Sequence, residues 1–181
     1  MNTDYHPVLH FWFKETTPQQ WFKADADFDQ QVRQRFGALH RQAAQGELQA
    51  WRQHPHGRLA EIVVLDQFSR NIYRNQPQAF AQDAMALALA QETIAAKADE
   101  ALTATERIFL YLPFMHSESK IIHIQAERLY RAQGLEENHA FEIKHKAIID
   151  QFGRYPHRNA ILGRPSTEAE IAFLQQPGSG F

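Results

Sequence analysis

Apolar residues recur at intervals of three and four along most of the chain, and this spacing is clearest near residues 28–36. Phe28, Val32 and Phe36 fall on one face of a helix with about 3.6 residues per turn. The alanine-rich segment 83–97 has a high intrinsic helix propensity. No segment shows the sustained alternation of apolar and polar residues that a half-buried strand requires. The pattern predicts an all-α protein, a single-domain array of about eight to ten helices joined by short loops.

Capping and breaking residues mark several of the predicted helix ends. Thr103 followed by Glu106 has the spacing of a capping box, which predicts a helix start. Pro113 is expected to end that helix, because proline lacks the amide hydrogen that an interior turn uses. Gly153 is expected to end a later helix that begins near Glu136, because glycine readily adopts the left-handed conformation of a helix cap.

The chain has 181 residues, of which 44% are hydrophobic and 22% are charged. This is the balance of an ordinary globular protein, and we assign residues 1–181 to a single helical domain. The net charge of −2 gives no basic footprint for nucleic acid. No apolar run approaches the roughly 20 residues needed to cross a bilayer, and the N-terminus lacks the features of a signal peptide. We therefore expect a cytoplasmic protein with no nucleic-acid or membrane partner.

Cysteine is absent from the chain, which excludes disulfides, thiolate catalysis and cysteine-based metal sites. His6 and His10 are four residues apart, as in some metal-binding pairs. No His-Glu-x-x-His string accompanies them, and a metal would need further ligands from elsewhere. We expect neither a metal nor a cofactor.

One polar motif occurs twice. Residues 65–75 read Leu-Asp-Gln-Phe-Ser-Arg-Asn-Ile-Tyr-Arg-Asn, and residues 149–159 read Ile-Asp-Gln-Phe-Gly-Arg-Tyr-Pro-His-Arg-Asn. Six of the eleven aligned positions are identical: Asp66/Asp150, Gln67/Gln151, Phe68/Phe152, Arg70/Arg154, Arg74/Arg158 and Asn75/Asn159. Either the two copies contribute equivalent groups to one site, or they solve the same folding problem twice.

Each copy is expected to follow the end of an apolar helix, and Ser69 and Asn71 favour such an ending in the first copy. Asp66 and Asp150 would then lie near helix C-termini, where the helix dipole and unsatisfied carbonyls repel a carboxylate. An arginine follows each aspartate after four residues and another after eight. Arg70 can reach Asp66 if the helix runs one turn further. One interpretation is therefore a capping network in which arginines hold two equivalent loops.

The other interpretation starts from the charges of the motif. Two aspartates face four arginines, so converging copies would carry excess positive charge that attracts a phosphate or carboxylate ligand. The ligand-binding residues predicted on this basis come from both copies and from the segment between them: Asp66, Arg70, Asn71, Arg74, His116, Ser117, Glu118, Asp150, Arg154, His157, Arg158 and Asn159.

The intervening segment, residues 112–118, reads Leu-Pro-Phe-Met-His-Ser-Glu. It places His116, Ser117 and Glu118 at the start of a predicted helix, where backbone amides favour anions. His116 could titrate near neutral pH, which makes it a candidate acid or base. Equally, Ser117 and Glu118 are ordinary helix-start residues, and His116 would then be a satisfied turn histidine.

The strings LDQFSRNIYR, ERIFLYLPFMHSE and IIDQFGRYPHRNAILGRPSTEAEIAFL resemble the bacterial family catalogued as domain of unknown function 924. The similarity runs from about residue 59 to the C-terminus. The resemblance implies an all-helical, tetratricopeptide-like array with superhelical packing, and it implies no established activity. The two copies are 84 residues apart, which does not match the tetratricopeptide period of about 34 residues. The likeness to those repeats is therefore architectural.

Three functions fit these residues. The first is binding of a small anionic ligand in a polar pocket formed by the motif. The second is a tetratricopeptide-like scaffold for a protein partner, in which the motif is purely structural. The third is an enzyme acting on an anionic substrate, in which His116 or His157 is the acid or base and Glu118 orients it. The sequence favours binding over the scaffold and the scaffold over the enzyme, and leaves all three open.

Overall fold

A computed structural model of the protein describes residues 4–179. These residues form helices joined by short connections, and no strand occurs among them. The prediction of an all-α protein is confirmed. None of the helices in this range combines the length and the apolar character that crossing a membrane would take.

The described residues divide into two compact units. The first unit contains the residues up to Arg74 together with Gln78–Pro113. The second unit contains Asn75–Pro77 and the residues from Phe114 onward. All of the first motif copy except its last residue lies in the first unit, and the whole second copy lies in the second unit. The assignment of residues 1–181 to one domain stays a prediction.

The chain up to Met115 contains seven α-helical segments within the described residues. They are α1 (His6–His10), α2 (Pro18–Phe22), α3 (Ala26–Ala44), α4 (Pro55–Val63), α5 (Ser69–Ile72), α6 (Asp83–Ala95) and α7 (Ala104–Met115). Two π-helical turns extend these helices, one after α1 (Phe11–Glu15) and one joining α4 to α5 (Val64–Phe68). Short 3₁₀ helices cover Gln49–Gln53, Pro77–Phe80 and Ala98–Ala101.

The predicted apolar face of α3 forms part of an aromatic core in the first unit. The carboxylate of Asp25 caps this helix by accepting from the amides of Asp27 and Phe28, each at 3.0 Å. The ring centroid of Phe36 lies 4.8 Å from that of Phe68 and 5.0 Å from that of Phe11. Burying side chains of this size contributes roughly 1.5–3 kcal/mol each, so the core fixes α3 against the helix that carries the motif.

The second unit contains three further helices, α8 (Lys120–Ala132), α9 (Glu136–Phe152) and α10 (Glu168–Leu174), and a 3₁₀ helix at Pro156–Arg158. Helices α8 and α9 pack against each other. A small core of Ile148, Ile149 and Tyr155 forms beside α9 and contacts Phe152 and Phe173. Tyr155 lies three residues after the end of α9, so its packing on Ile148 and Ile149 holds the second motif copy against the C-terminal end of this helix.

Most predicted helix ends agree with the structure, but Pro113 does not end a helix. The capping box of α7 is present: the Thr103 amide donates to Glu106 at 2.8 Å, and the Glu106 amide donates to the Thr103 hydroxyl at 3.3 Å. Helix α7 continues through Pro113 to Met115. The fixed φ of proline, about −65°, is compatible with a helix, so Pro113 removes one backbone hydrogen bond without stopping the chain.

Candidate functional site

The first motif copy lies inside a helix and not at its end. Val64–Phe68 forms a π-helical turn between α4 and α5, and helical structure continues to Ile72. Asp66 and Phe68 are buried. The prediction that this helix ends near Asp66 is therefore wrong, because a π-helical turn accommodates an extra residue without breaking the helix.

Arg70 lies one turn after Asp66, as predicted for a helix that continues. Its Nη1 atom donates to the Oδ1 atom of Asp66 at 3.0 Å and to the Asp66 carbonyl at 2.9 Å. The same guanidinium binds the two carboxylate oxygens of Asp83 at 2.9 and 3.0 Å. Arg70 therefore has two carboxylate partners, and one of them stands outside the motif.

Arg74 and Asn71 share a third carboxylate from outside the motif. Both oxygens of Asp29, on α3, accept hydrogen bonds from the Arg74 guanidinium, one of them from Nη2 at 2.7 Å. The Nδ2 atom of Asn71 donates to the same carboxylate at 2.8 Å. The hydrogen bond to Asp29 raises the pKa of Arg74. These three residues join the first motif copy to α3.

The second copy begins at a true helix end. Helix α9 stops at Gly153, whose φ of 71° is left-handed, as the sequence predicted. Asp150, one turn earlier, is exposed and binds the Nζ atom of Lys146 at 2.5 Å, which lowers the pKa of Asp150. The Nζ atom of Lys120 donates to the Asp150 carbonyl at 2.8 Å. Lysines therefore compensate for the negative charge of Asp150. The prediction that an arginine would do so is wrong for this copy.

Arg154 binds the last helix of the chain. Its Nε and Nη2 atoms donate to the two carboxylate oxygens of Glu170, on α10, at 2.6 and 2.8 Å. These bonds, with one from the Thr167 amide, lower the pKa of Glu170 to about 2. Nη2 also donates to the Pro165 carbonyl at 2.9 Å. The role of Arg154 in this geometry is to fasten α10 to the end of α9.

Arg158 and Asn159 are buried and support the loop that follows α9. The Nη2 atom of Arg158 donates to the His116 carbonyl at 3.0 Å, and its guanidinium lies 4.7 Å from the centroid of the Tyr155 ring. The Oδ1 atom of Asn159 accepts from the Nε atom of Arg164 at 2.9 Å. The segment containing His116 is thereby attached to the second motif copy within the second unit.

Glu118 reinforces this attachment. Its carboxylate accepts from the Tyr155 amide at 2.8 Å and from two nitrogens of Arg164 at 2.7 and 3.0 Å. Burial is the largest single effect and would raise the pKa of Glu118, but the hydrogen bonds from Arg164 and the Tyr155 amide, together with the charges of Arg158 and Arg164, outweigh it and lower the pKa. The Ser117 amide donates to the Phe114 carbonyl at 3.2 Å. Sequence reasoning missed Arg164, although it stands in the same C-terminal string as the motif.

A buried pair in the second unit was also missed. The Nδ1 atom of His123 lies 2.7 Å from the Oε1 atom of Glu142, and its Nε2 atom lies 2.8 Å from the Ser117 carbonyl. Both side chains are fully buried. Burial raises the pKa of Glu142, and the bond to His123 opposes this shift. No motif marks these residues, because they come together only when α8 packs on α9.

The candidate catalytic residues His116 and His157 lie near a further buried histidine. Burial lowers the pKa of His145 to about 3, and the positive fields of His116, His123 and His157 add to the shift. A hydrogen bond from Nδ1 of His145 to the Phe141 carbonyl opposes it. Among residues 4–179, no group of three or more metal-binding side chains is arranged to hold an ion.

Acids from outside the motif neutralise three of its four arginines. The pairs are Arg70–Asp83, Arg74–Asp29 and Arg154–Glu170. The charge count that set two aspartates against four arginines considered only residues of the motif, so it left out these three acids. Binding of an anion by the motif residues themselves stays a prediction, but the excess positive charge that motivated it is absent at these three pairs.

A cavity of about 180 Å³ lies in the first unit beside the first motif copy. Its polar lining residues are His40, Arg41, Gln45, Tyr73, Gln78 and Gln82. Tyr73 belongs to the motif, but at a position that differs between the copies and that His157 occupies in the second. The cavity therefore borders the motif without using the residues that the two copies have in common.

His40 and Arg41 are adjacent in the wall of this cavity. The Nε2 atom of His40 lies 2.7 Å from the Ser69 hydroxyl oxygen, while its buried Nδ1 atom has no hydrogen-bond partner within residues 4–179. Burial lowers the pKa of His40, and the charge of Arg41 adds to this. Arg41 is exposed, and no carboxylate within the described residues pairs with it. Sequence reasoning did not identify either residue, because neither stands in a motif.

Comparisons with known proteins place the chain in an uncharacterised family with an all-α fold. Residues 8–178 match the model of the family described as "Bacterial protein of unknown function (DUF924)". The chain belongs to this family, as the resemblance of its motifs indicated. The tetratricopeptide-like, superhelical packing suggested with that resemblance stays a prediction.

A solved structure agrees with this assignment. It is a protein of unknown function from Agrobacterium tumefaciens, which is 36% identical over 94% of this chain and 96% of its own, with a TM-score of 0.90. Among curated proteins, none matches the chain. The comparisons support the family and the fold and give no activity.

Proposed function

We propose that this protein binds a small organic anion in the cavity beside the first motif copy. The observation that carries the proposal is the presence of Arg41 in the cavity wall, because its guanidinium has no carboxylate partner among the described residues. A carboxylate or phosphate ligand would supply that partner.

Arg41 gives the cavity its preference for an anion. The planar guanidinium binds carboxylate or phosphate oxygens through two parallel hydrogen bonds. Arg70 and Arg74, the motif arginines of the same unit, already bind Asp83 and Asp29. The amides of Gln45, Gln78 and Gln82 offer both donors and acceptors, which would orient a polar ligand.

The size of the cavity limits the ligand. Its volume of about 180 Å³ is below the roughly 300–1,000 Å³ of pockets that enclose drug-sized molecules. A carboxylic acid of a few carbon atoms or a small phosphate ester matches this volume better than a nucleotide does. We therefore propose a small metabolite as the ligand.

This proposal keeps the ligand class expected from the sequence and changes the residues that would bind it. The first motif copy contributes Tyr73 to the cavity wall and supports His40 through Ser69. Participation of the twelve residues predicted from the motif, a protein partner and a cytoplasmic location all stay predictions.

The proposal is tested by measuring the melting temperature in the presence of small carboxylates and phosphate esters. We expect at least one compound to raise it, since a ligand at a hundred times its Kd stabilises a protein by about 2.7 kcal/mol. Isothermal titration calorimetry with Arg41→Gln should then show binding at least about tenfold weaker, because a hydrogen bond to a charged group contributes about 1.5–3 kcal/mol.

Arg128→Gln is the matched control, because Arg128 is an exposed arginine on α8 in the second unit. This variant should bind the compound as the wild type does. Unchanged affinity in Arg41→Gln, or a panel in which no compound alters the melting temperature, would refute binding in this cavity. Loss of binding in Arg154→Ala alone would instead support a site at the second motif copy.

A further inference from the structure

Three exposed isoleucines lie on helices α8 and α9, which pack against each other. The two helices are antiparallel, since the Nζ atom of Lys120 at the start of α8 donates to the carbonyl of Asp150 near the end of α9. The exposed fractions are 70% for Ile121, 44% for Ile124 and 42% for Ile143. Single exposed isoleucines are common on protein surfaces, whereas a group on one face marks an interaction site.

The contact between His123 and Glu142 shows that the three isoleucines share one face. These side chains face each other across the pair, with Nδ1 2.7 Å from Oε1. Successive residues of a helix turn by about 100°, and in an antiparallel pair the residues that follow two facing side chains turn to the same side. Ile124 and Ile143 are those residues, and Ile121 lies one turn from Ile124. We call this side of α8 and α9 the isoleucine face.

Two alanines extend the isoleucine face along α9. Ala140 and Ala147 are exposed and stand three residues before and four residues after Ile143, so they lie on its side of the helix. The distance between packed helices depends on the side chains at the contact. The face therefore combines projecting isoleucines on α8 with space for them on α9.

Two charged residues on this face match each other in position. Arg128 is four residues after Ile124, and Glu136 is seven residues before Ile143, so both lie on the isoleucine face. Counted from the facing pair of His123 and Glu142, they differ by about 1.5 Å in height along the helix axes. Both are exposed, and neither has an ion-pair partner among residues 4–179.

We propose that the isoleucine face binds a second copy of this chain, related by a two-fold axis parallel to the two helices. This axis lays α8 of one copy on α9 of the other, antiparallel and at the same height, as in a four-helix bundle. Ile121 and Ile124 then lie opposite Ile143 and the two alanines of the other copy. Arg128 of each copy meets Glu136 of the other.

The charges favour a second copy over an unrelated partner. A two-fold interface is self-complementary, so each charge needs its opposite at the one position that the symmetry defines. Arg128 and Glu136 satisfy this condition, because they have the same height and lie on different helices of the pair. The match forms twice in the dimer, and opposite charges across an interface fix its register.

The size of the face indicates a weak dimer. Helix α8 has 13 residues and is about 20 Å long, and two helices side by side are about 20 Å wide. The contact would bury roughly 400–500 Å² of each copy, or about 800–1,000 Å² in total, which is below the roughly 1,200–2,000 Å² of standard interfaces. We therefore expect a reversible dimer with a Kd of about 10–100 μM.

Sedimentation equilibrium of the ligand-free wild type between about 1 and 500 μM tests the dimer. A reversible monomer–dimer equilibrium is the expected result. Ile124→Asp should weaken dimerisation at least about tenfold, because it places a charge inside the apolar contact. Ile171→Asp is the matched control, since Ile171 is 50% exposed but belongs to α10. This variant should dimerise as the wild type does.

A charge exchange tests the two-fold arrangement itself. Arg128→Glu and Glu136→Arg each place like charges opposite one another, so each should weaken the dimer by about three- to tenfold. The variant with both substitutions restores opposite charges and should recover the wild-type Kd within about twofold. Both positions are exposed, and circular dichroism checks that the helical fold is retained.

Three results would overturn the proposal. A wild type that stays monomeric over the whole range would leave the isoleucine face to a different protein partner. A dimer that Ile124→Asp does not weaken would have to use another surface. Failure of the double charge exchange to recover the dimer would contradict the pairing of Arg128 with Glu136. The cavity belongs to the first unit and the isoleucine face to the second, so none of these results bears on anion binding.

Discussion

Arg70, Arg74 and Arg154 each bind both oxygens of a carboxylate that lies outside the repeated motif. The partners are distant in sequence, at 13, 45 and 16 residues respectively. Such two-point pairs hold an arginine in one orientation and neutralise its charge. At the scale of residues, three of the four motif arginines therefore join the motif to other elements of the fold. Tyr73 instead lines the cavity, and Ser69 contacts its lining residue His40; the two copies differ at both motif positions.

His145 makes stability depend on pH. Its pKa in the folded protein is about 3, mainly because of burial, against an ordinary value of 6.5. Between these values the unfolded chain binds a proton that the folded protein does not, so the free energy of unfolding falls as pH decreases from about 6.5. The slope from one such group is at most about 1.4 kcal/mol per pH unit. Urea denaturation of His145→Gln should give a shallower slope between pH 6.5 and 5 than the wild type.

His6→Gln is the control for this titration, because the His6 side chain is 77% exposed. It should leave the pH dependence of the wild type nearly unchanged. Parallel stability curves for the wild type and His145→Gln would show that His145 is not held neutral in the folded protein.

At the scale of elements, the sequence predicted what depends on neighbouring residues. The capping box of α7 and the end of α9 at Gly153 follow from local chemistry, and both are present. The π-helical turn at Val64–Phe68 was not predicted, because no residue type marks it. The pairing of Glu118 with Arg164 spans 46 residues and depends on how the helices pack. Local sequence patterns thus predicted the helices. The side-chain pairs could not be predicted, because they depend on how the helices pack.

Gly153 allows a direct test of the helix end. Its φ of 71° is strained for any residue with a side chain, so Gly153→Ala should lower the free energy of unfolding by about 1–2 kcal/mol. Gly37 is the matched comparison, since it lies within α3 and has an ordinary φ. A side chain would meet nothing within 4 Å at either position. Gly37→Ala should therefore stabilise the protein by about 0.5–1 kcal/mol. Urea denaturation showing equal changes at the two sites would contradict this account.

At the scale of the whole molecule, charge is balanced within each compact unit. Arg70 finds its carboxylate partners in the first unit, and Arg154 finds Glu170 in the second. The chain as a whole carries 19 lysines and arginines against 21 acidic residues. Within this balance, the arginines Arg70 and Arg154 of the two motif copies have separate carboxylate partners.

A double-mutant cycle tests whether the two copies act independently. Arg70→Ala and Arg154→Ala should each destabilise the protein, because each leaves a partly buried carboxylate without its arginine. Their effects on the free energy of unfolding, measured by urea denaturation, should add within about 0.5 kcal/mol, since they share no partner. A cycle on Arg70 and Asp83, which bind each other directly, should instead give a coupling of about 1 kcal/mol or more. A comparable coupling between Arg70 and Arg154 would contradict the independence of the two networks and would revive the interpretation in which the copies act together.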